Sequence, residues 1–276
     1  LQSYVNERFL ARLAVSPEAD TVLLKGALML RVWGVPRARP TMDIDVLRRG
    51  AADRDTLTGI VRQCASTIDE IDGVTFDASS LTVEMIHEAG GYVGIRIRVP
   101  ARRENVRQVV QIDFGVGDAV YPSPLVIEYP VLLGGPPLQL RAYPVEAAIA
   151  EKFQAMVQLD LGNSRMKDFY DVCLLSNALA FAGQELSKSI QATFERRETP
   201  IPTTLPAALT ARFFDEPIHT RQWDAFVTRI EEPSLKEKLP TVVRAMADFV
   251  MPPTLAAAER KPLRLRWTPK GGWSSL

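Results

Sequence analysis

Apolar residues recur at helical spacing at Val5, Phe9, Leu10 and Leu13, which predicts a packing helix over residues 1–14 that Ser16-Pro17-Glu18 then interrupts. Val22, Leu23 and Leu24 form a short apolar strand leading into Lys25 and Gly26, and a helical pattern resumes over 27–33. After a loop at 34–40 comes TMDIDVL. Successive side chains alternate faces along a strand, so Asp43 and Asp45 point one way while Met42, Ile44 and Val46 point the other. A helix is expected over 53–71, with Leu57, Ile60, Val61, Cys64 and Ile68 on its inner side.

Residues 81–86, 92–99 and 106–114 alternate or run apolar with turn signals between them, which predicts an antiparallel meander extending the sheet. In VVQIDF the same period sets Asp113 with Gln111 and Val109, opposite Val110 and Ile112. Residues 118–144 hold six prolines plus Gly134 and Gly135 and read as a wrapping segment or domain joint without regular structure. Beyond it the period turns helical, over 145–159, 167–180, 185–196, 223–230 and 239–250, with proline breaks between the later segments. In the first of these, Ile149, Phe153 and Met156 form the apolar stripe and Lys152 lies on an adjoining face. In NSRMKDFYDV, Arg165, Asp168 and Asp171 share one side. The tail 260–276 is basic, with two Trp, and reads as irregular.

The fold class expected from this order is α+β: a mixed sheet with flanking helices over 1–135, then a helical domain over 136–276. LQSYVNERFLARL opens without Met in what reads as mid-helix, so upstream residues are expected to be missing. A chain of 276 residues with 46% hydrophobic composition can bury a sizeable core, which excludes general disorder. Thirty-three basic residues balance thirty-three acidic ones, so a polyanionic partner would have to be held by local patches. Cys64 and Cys173 lie far apart among apolar neighbours and fit reduced, buried thiols. With no apolar run of membrane-spanning length and no secretory signal, the expected compartment is the cytoplasm.

The chemistry centres on residues 23–47. Two carboxylates held on one strand face repel unless a cation lies between them, and oxygen ligands on a rigid strand suit Mg²⁺ carrying a substrate phosphate. Gly26, at a strand-to-helix turn, allows a phosphate to approach backbone N–H groups. His87 and His219 lack partners at metal-ligand spacing, and no Walker-type or kinase motif occurs. For Lys152 a plain helix-surface lysine is the competing reading, and for Asp168 and Asp171 a charged helix face. Arg96 and Arg98 share a strand face, with Arg102, Arg103 and Arg107 close behind; they read equally as a nucleic-acid rim or as solvated strand ends.

A Gly turn, an apolar-Asp-apolar-Asp-apolar strand and a later apolar-Asp-apolar strand match the layout of DNA polymerase beta-type nucleotidyltransferases. LLKGALML, RPTMDIDVL, VVQIDFGVGDAVYPSP, PVEAAIAEKFQAMV, NSRMKDFYDV and TFERRETPIP, in this order, resemble the AbiEii/AbiGii toxin family, the toxin half of type IV toxin–antitoxin and abortive-infection systems. The resemblance implies Mg²⁺-dependent transfer of a nucleotide from an NTP, with Mn²⁺ as a possible substitute, to the 3′ end of tRNA, and a cognate antitoxin. It assigns the metal to Asp43, Asp45 and Asp113, catalysis to these with Lys152 and Asp168, and nucleotide binding to Lys25, Gly26, Ala27, Arg39, Thr41, Lys152 and Arg165. Ala27 stands where the family's motif has Ser, leaving the phosphate to backbone N–H groups with Thr41 or Arg39. Arg96, Arg98, Arg102 and Arg103, with Arg196 and Arg197, are the candidate RNA contacts, and Lys152 and Asp168 are expected to serve the nucleotide cleft from the helical domain. Nucleotidylation of a protein or small molecule, and a silent RNA- or partner-binding module, are the alternatives.

Overall fold

The computed structural model describes residues 1–35, 39–88, 92–230 and 236–276. The chain divides into two compact units. The first comprises Leu1–Gly34, Pro40–Asp118 and Pro124–Tyr143, and the second comprises Val35–Arg39, Ala119–Ser123 and Pro144–Leu276.

The first unit begins with α1 (Gln2–Ala14), β1 (Val22–Lys25), a 3₁₀ turn at Gly26–Leu28 and the one-turn α2 (Met29–Val32). It continues with β2 (Asp43–Arg48), α3 (Arg54–Ser66), β3 (Thr75–Phe76), β4 (Thr82–Glu88), β5 (Tyr92–Arg103), β6 (Val106–Val116), β7 (Leu125–Tyr129) and β8 (Leu138–Ala142). The eight strands form one sheet in the order β3-β5-β6-β2-β1-β8-β7, with β4 also on β5. The β2–β6 and β1–β8 pairs are parallel and the rest antiparallel.

Period-two alternation explains the core. Ile44, Val46, Ile97, Val99, Val110, Ile112 and Phe114 pack under Val5, Phe9 and Leu10 of α1 and Leu57, Ile60, Val61 and Cys64 of α3. The polar residues between them are thereby forced onto the opposite face. A buried Arg12–Asp72 pair ties α1 to the segment before β3, with Arg12 also donating to the carbonyls of Thr67 and Val74.

The second unit contains α4 (Val145–Leu159), α5 (Met166–Ala178), β9 (Phe181–Ala182), α6 (Gly183–Arg196), α7 (Ala211–Phe214), α8 (Pro217–Thr228), α9 (Leu239–Glu259), β10 (Leu265–Thr268) and β11 (Gly272–Ser275). Its core includes Phe153 against Phe194 and Phe169 stacked on Phe213. The last three strands form a small antiparallel sheet, in the order β11-β10-β9.

Several expectations are corrected. The segment 118–144 carries β7 and β8, and its prolines lie outside both strands while Ile127, Tyr129, Leu140 and Ala142 bury in alternation; the first unit therefore runs to Tyr143 instead of ending at residue 135. The tail is a hairpin turned through Lys270 and Gly272, both at positive φ. α9 passes through Pro252 and Pro253. A helical proline removes the N–H that would bond the carbonyl four residues back; for Pro253 that is Phe249, whose carbonyl instead accepts the Trp273 indole N–H at 2.9 Å. Trp267 likewise donates at 2.7 Å to the Ser176 carbonyl, one of those left without an intrahelical partner at the end of α5. α3 ends at Ser66, leaving Ile68 exposed, and Met42 lies outside β2 and is also exposed. The 27–33 helix is only the 3₁₀ turn and α2. Part of the loop at 34–40, residues 36–38, and the side chain of His87 lie outside the described residues.

Candidate active site

Strand register assembles the polar face of the sheet. Asp45 of β2 is paired with Asp113 of β6, and Asp43 with Gln111. On the far side of β6, Arg96 of β5 pairs with Asp113 and Arg98 with Gln111, while Glu84 of β4 pairs with Arg96. On the other side of β2, Lys25 of β1 is paired with Asp45. Cross-strand partners share a face, so one row across five strands reads Glu84, Arg96, Asp113, Asp45, Lys25.

The two cations of that row are already engaged. The Arg96 guanidinium grips Asp113 with two hydrogen bonds, Nε to Oδ1 at 2.7 Å and a terminal nitrogen to Oδ2 at 2.6 Å. Its other terminal nitrogen is 3.6 Å from Glu84, which Arg98 approaches to 3.0 Å. Arg98 also donates to the Gln111 side chain at 3.0 Å. Lys25 is bound at 2.9 Å to Asp118, a buried carboxylate that sequence reading did not single out, and lies over the Tyr143 ring.

Gly26 has a positive φ of 70°, and a Cβ placed there would lie 2.0 Å from Asp45 Oδ2. The residue must therefore be glycine for two reasons, left-handed backbone and contact with a carboxylate. Ala27, next in the chain, is buried. The Thr41 hydroxyl makes long 3.4 Å contacts to the Asp43 backbone, accepting from its N–H and donating to its carbonyl.

Among the described residues no three His, Cys, Asp or Glu side chains converge as a cation site. Asp113 is gripped by Arg96, and Asp43 and Asp45 lie on one face of the neighbouring strand β2. Two carboxylates on one face fit Mg²⁺, which binds through one or two carboxylates and completes its shell with water and substrate phosphate.

The second constellation lies in the helical unit. Lys152 of α4 donates to Asp168 at 2.8 Å and to Asp171 at 2.9 Å, both on α5. Arg39 forms a two-bond fork on Asp171, at 2.7 and 2.8 Å, and Arg165 at the start of α5 donates to Asp168 at 2.6 Å. The three-residue spacing seen in the sequence thus puts Arg165, Asp168 and Asp171 on one side.

Burial alone would push the Lys152 ammonium toward neutrality, but Asp168 and Asp171 outweigh it and hold its pKa above the ordinary lysine value. Burial would raise both carboxyls as well. Lys152 and Arg165 hold Asp168 well below the usual carboxylate range, and Lys152 and Arg39 lower Asp171.

The arginines expected to contact RNA are largely occupied. Besides Arg96 and Arg98, Arg102 donates to the Glu104 carbonyl at 2.6 Å and Arg103 lies over the Tyr4 ring. Arg197 donates to Gln154 at 2.9 Å, and Arg196 is exposed at the end of α6. His219 is buried against Phe213, 2.7 Å from its carbonyl, and Cys64 and Cys173 are free thiols that burial pushes up to about 11 and about 12.

Two crystal structures from Helicobacter pylori share this fold. One, of JHP933, is 13% identical with a TM-score of 0.51, covering 94% of this chain and 91% of that one. The other, described as a "putative nucleotidyltransferase", is 14% identical with a TM-score of 0.50, covering 94% of each chain. No curated protein matches the chain. The family model of the nucleotidyl transferase AbiEii toxin of type IV toxin–antitoxin systems matches residues 8–248. The chain belongs to the AbiEii family. Both constellations, the Gly26 turn and the β1–β2–β6 row fall within that match, and a nucleotidyltransferase toxin implies an antitoxin as partner. No helix among the described residues of this AbiEii-family protein is long and apolar enough to cross a membrane.

Proposed function

We propose that this AbiEii-family protein transfers a nucleotide from an NTP to an RNA acceptor, the 3′ end of tRNA, in the cytoplasm, and so halts translation and growth. The observation that carries the reading is the seating of Asp45 against Gly26, with Asp43 on the same face, because it combines a two-carboxylate cation site with a turn that tolerates no side chain.

The acceptor hydroxyl oxygen attacks the α-phosphorus in line. The bond from that phosphorus to the bridging oxygen breaks, and pyrophosphate leaves. Asp43 and Asp45 would hold Mg²⁺, or Mn²⁺, which supplies charge to the triphosphate. The N–H groups after Gly26 cradle phosphate oxygens without help from a hydroxyl at position 27. Asp113 accepts the acceptor's proton, or joins the cation site, once Arg96 has turned toward Glu84. Lys152 is kept charged and fixed by two carboxylates, as a residue that neutralises charge on departing pyrophosphate must be.

The test is incubation of the full chain with each labelled NTP and Mg²⁺ together with tRNA, total RNA, total protein and small acceptors. Label on the 3′ end of tRNA is the expected result. Label on protein or small molecules with RNA bare would replace the RNA acceptor, and no label on any acceptor would favour a silent binding module.

A further inference from the structure

The hairpin that closes the chain lies beyond residue 248, where the family match ends. Its two faces differ sharply. The inner face is apolar and fixed: Trp267 and Trp273 pack on Phe249, both indole N–H groups are spent on helix carbonyls, and Gly183 of α6 lies so close that a Cβ would stand 2.8 Å from Leu263 and 2.9 Å from the Leu265 carbonyl. The outer face carries Arg264 and Arg266, both exposed, with Ser274 opposite Arg266 and Thr268 two residues on. Lys270 stands exposed at the turn.

Five of the chain's 33 basic residues, Arg260, Lys261, Arg264, Arg266 and Lys270, fall in its last seventeen positions, which contain no Asp or Glu. A protein of zero net charge has therefore gathered positive charge here and left the remainder net acidic. Arg260 and Lys261 are paired with Glu195 and Glu259. Among the described residues, Arg264, Arg266 and Lys270 have no ion-pair partner. The arginines of β5 are engaged within their own unit, whereas these three remain available.

We propose that the outer face of the β9–β10–β11 sheet docks the sugar–phosphate backbone of a base-paired RNA stem. The chemistry selects that occupant. Alternate strand residues stand about 6.6 Å apart, a spacing suited to neighbouring phosphates on one strand, and Ser and Thr hydroxyls add donors for phosphate oxygens. The aromatic rings are turned inward, so the face has no platform for stacking unpaired bases and no apolar anchor for a lipid surface. Recognition is then electrostatic and independent of sequence. The inference rests on RNA being the acceptor, and it assigns the grip on that RNA to a segment remote in sequence from both charged constellations.

The experiment measures binding of the full chain to a fluorescent RNA stem-loop across a salt series, without NTP or divalent cation, so that the result is independent of turnover. Arg264→Gln/Arg266→Gln should weaken binding and lower the slope of log affinity against log salt by about two, one per lost phosphate contact. Arg264→Lys/Arg266→Lys should retain most of the affinity. Arg54→Gln/Arg62→Gln, which removes equal charge from α3, should change binding little. Equal losses from both Gln pairs, or no loss from the hairpin pair, would overturn the proposal. So would tighter binding to an unpaired RNA of the same length, or binding to phosphatidylserine vesicles but not to RNA. An unaffected hairpin variant that still labels tRNA would remove this surface and leave the nucleotidyl-transfer reading intact.

Discussion

The two charged constellations are built to opposite specifications. The row on the sheet is half-buried, and its central carboxylate, Asp113, is held by an arginine that has a second carboxylate, Glu84, within 3.6 Å. The helical unit instead seals Asp168 and Asp171 almost completely from solvent and gives each of them two cations, with Lys152 shared. A partly exposed pair with an alternative partner can exchange at smaller cost than a fully buried one, in which removing one partner strands a charge in low dielectric. The sheet row is therefore suited to admitting a cation and substrate. The buried lattice is suited to holding one lysine charged and motionless.

The largest expected effect breaks the row. Asp43→Ala or Asp45→Ala should lower nucleotidyl transfer at least about a thousandfold, roughly 4 kcal/mol of transition-state stabilisation, because one carboxylate cannot retain the metal–triphosphate alone. The melting temperature should change little, as both residues lie on the half-exposed face. Transfer at the wild-type rate in either variant would show that the row is scaffold.

Breaking the lattice should cost both stability and rate. Lys152→Ala leaves Asp168 and Asp171 without their shared cation, and a destabilisation of about 3–5 kcal/mol is expected in denaturant unfolding. Transfer, assayed where the variant remains folded, should fall strongly. Lys188→Ala, on exposed α6 surface over the Tyr121 ring, should do neither. Comparable losses from the two substitutions would remove the distinction between a held lysine and a surface one.

The lattice also sets a pH response. Asp168 and Asp171 titrate below the ordinary aspartate value of 3.8 in the folded protein, so their contribution is fully present above that value and is lost as pH falls through the lower folded values. Lys152 titrates above the ordinary 10.5, so its contribution is fully present below that value and is lost as pH rises through the higher folded one. The stability difference between wild type and Lys152→Ala should therefore be flat across neutral pH and narrow only at the acid and alkaline extremes. A difference that collapsed between about pH 6 and 8 would assign it to other groups.

A smaller stability effect than that of Lys152→Ala should come from Arg96→Met. Arg96 is a quarter exposed, so the cost should stay below that of breaking the sealed lattice. Its removal leaves Asp113 uncompensated beside Asp45, and two adjacent carboxylates favour a bound cation. Mn²⁺ affinity, read by electron paramagnetic resonance, should rise. Unchanged affinity would mean that Asp113 lies outside the reach of the cation.

Local periodicity, and the features it dictates, is the part of this protein that sequence alone determined. The alternation of DIDVL set Asp43 and Asp45 against Ile44 and Val46, the helical stripe of Ile149, Phe153 and Met156 defined α4, and three-residue spacing put Arg165, Asp168 and Asp171 on one side. These are properties of the covalent chain once an element type is chosen. Which strand lies beside which is not such a property. That Arg96 meets Asp113, that Lys25 turns to Asp118, and that Arg39 forks onto Asp171 depend on register and on contacts up to 132 residues apart. The same reason explains the tail and α9: prolines at 252 and 253 read locally as a stop, yet the helix continues and a distant indole satisfies the carbonyl that Pro253 frees. Tertiary structure thus decided the partners, because a buried polar group pairs with what the packed chain brings to it.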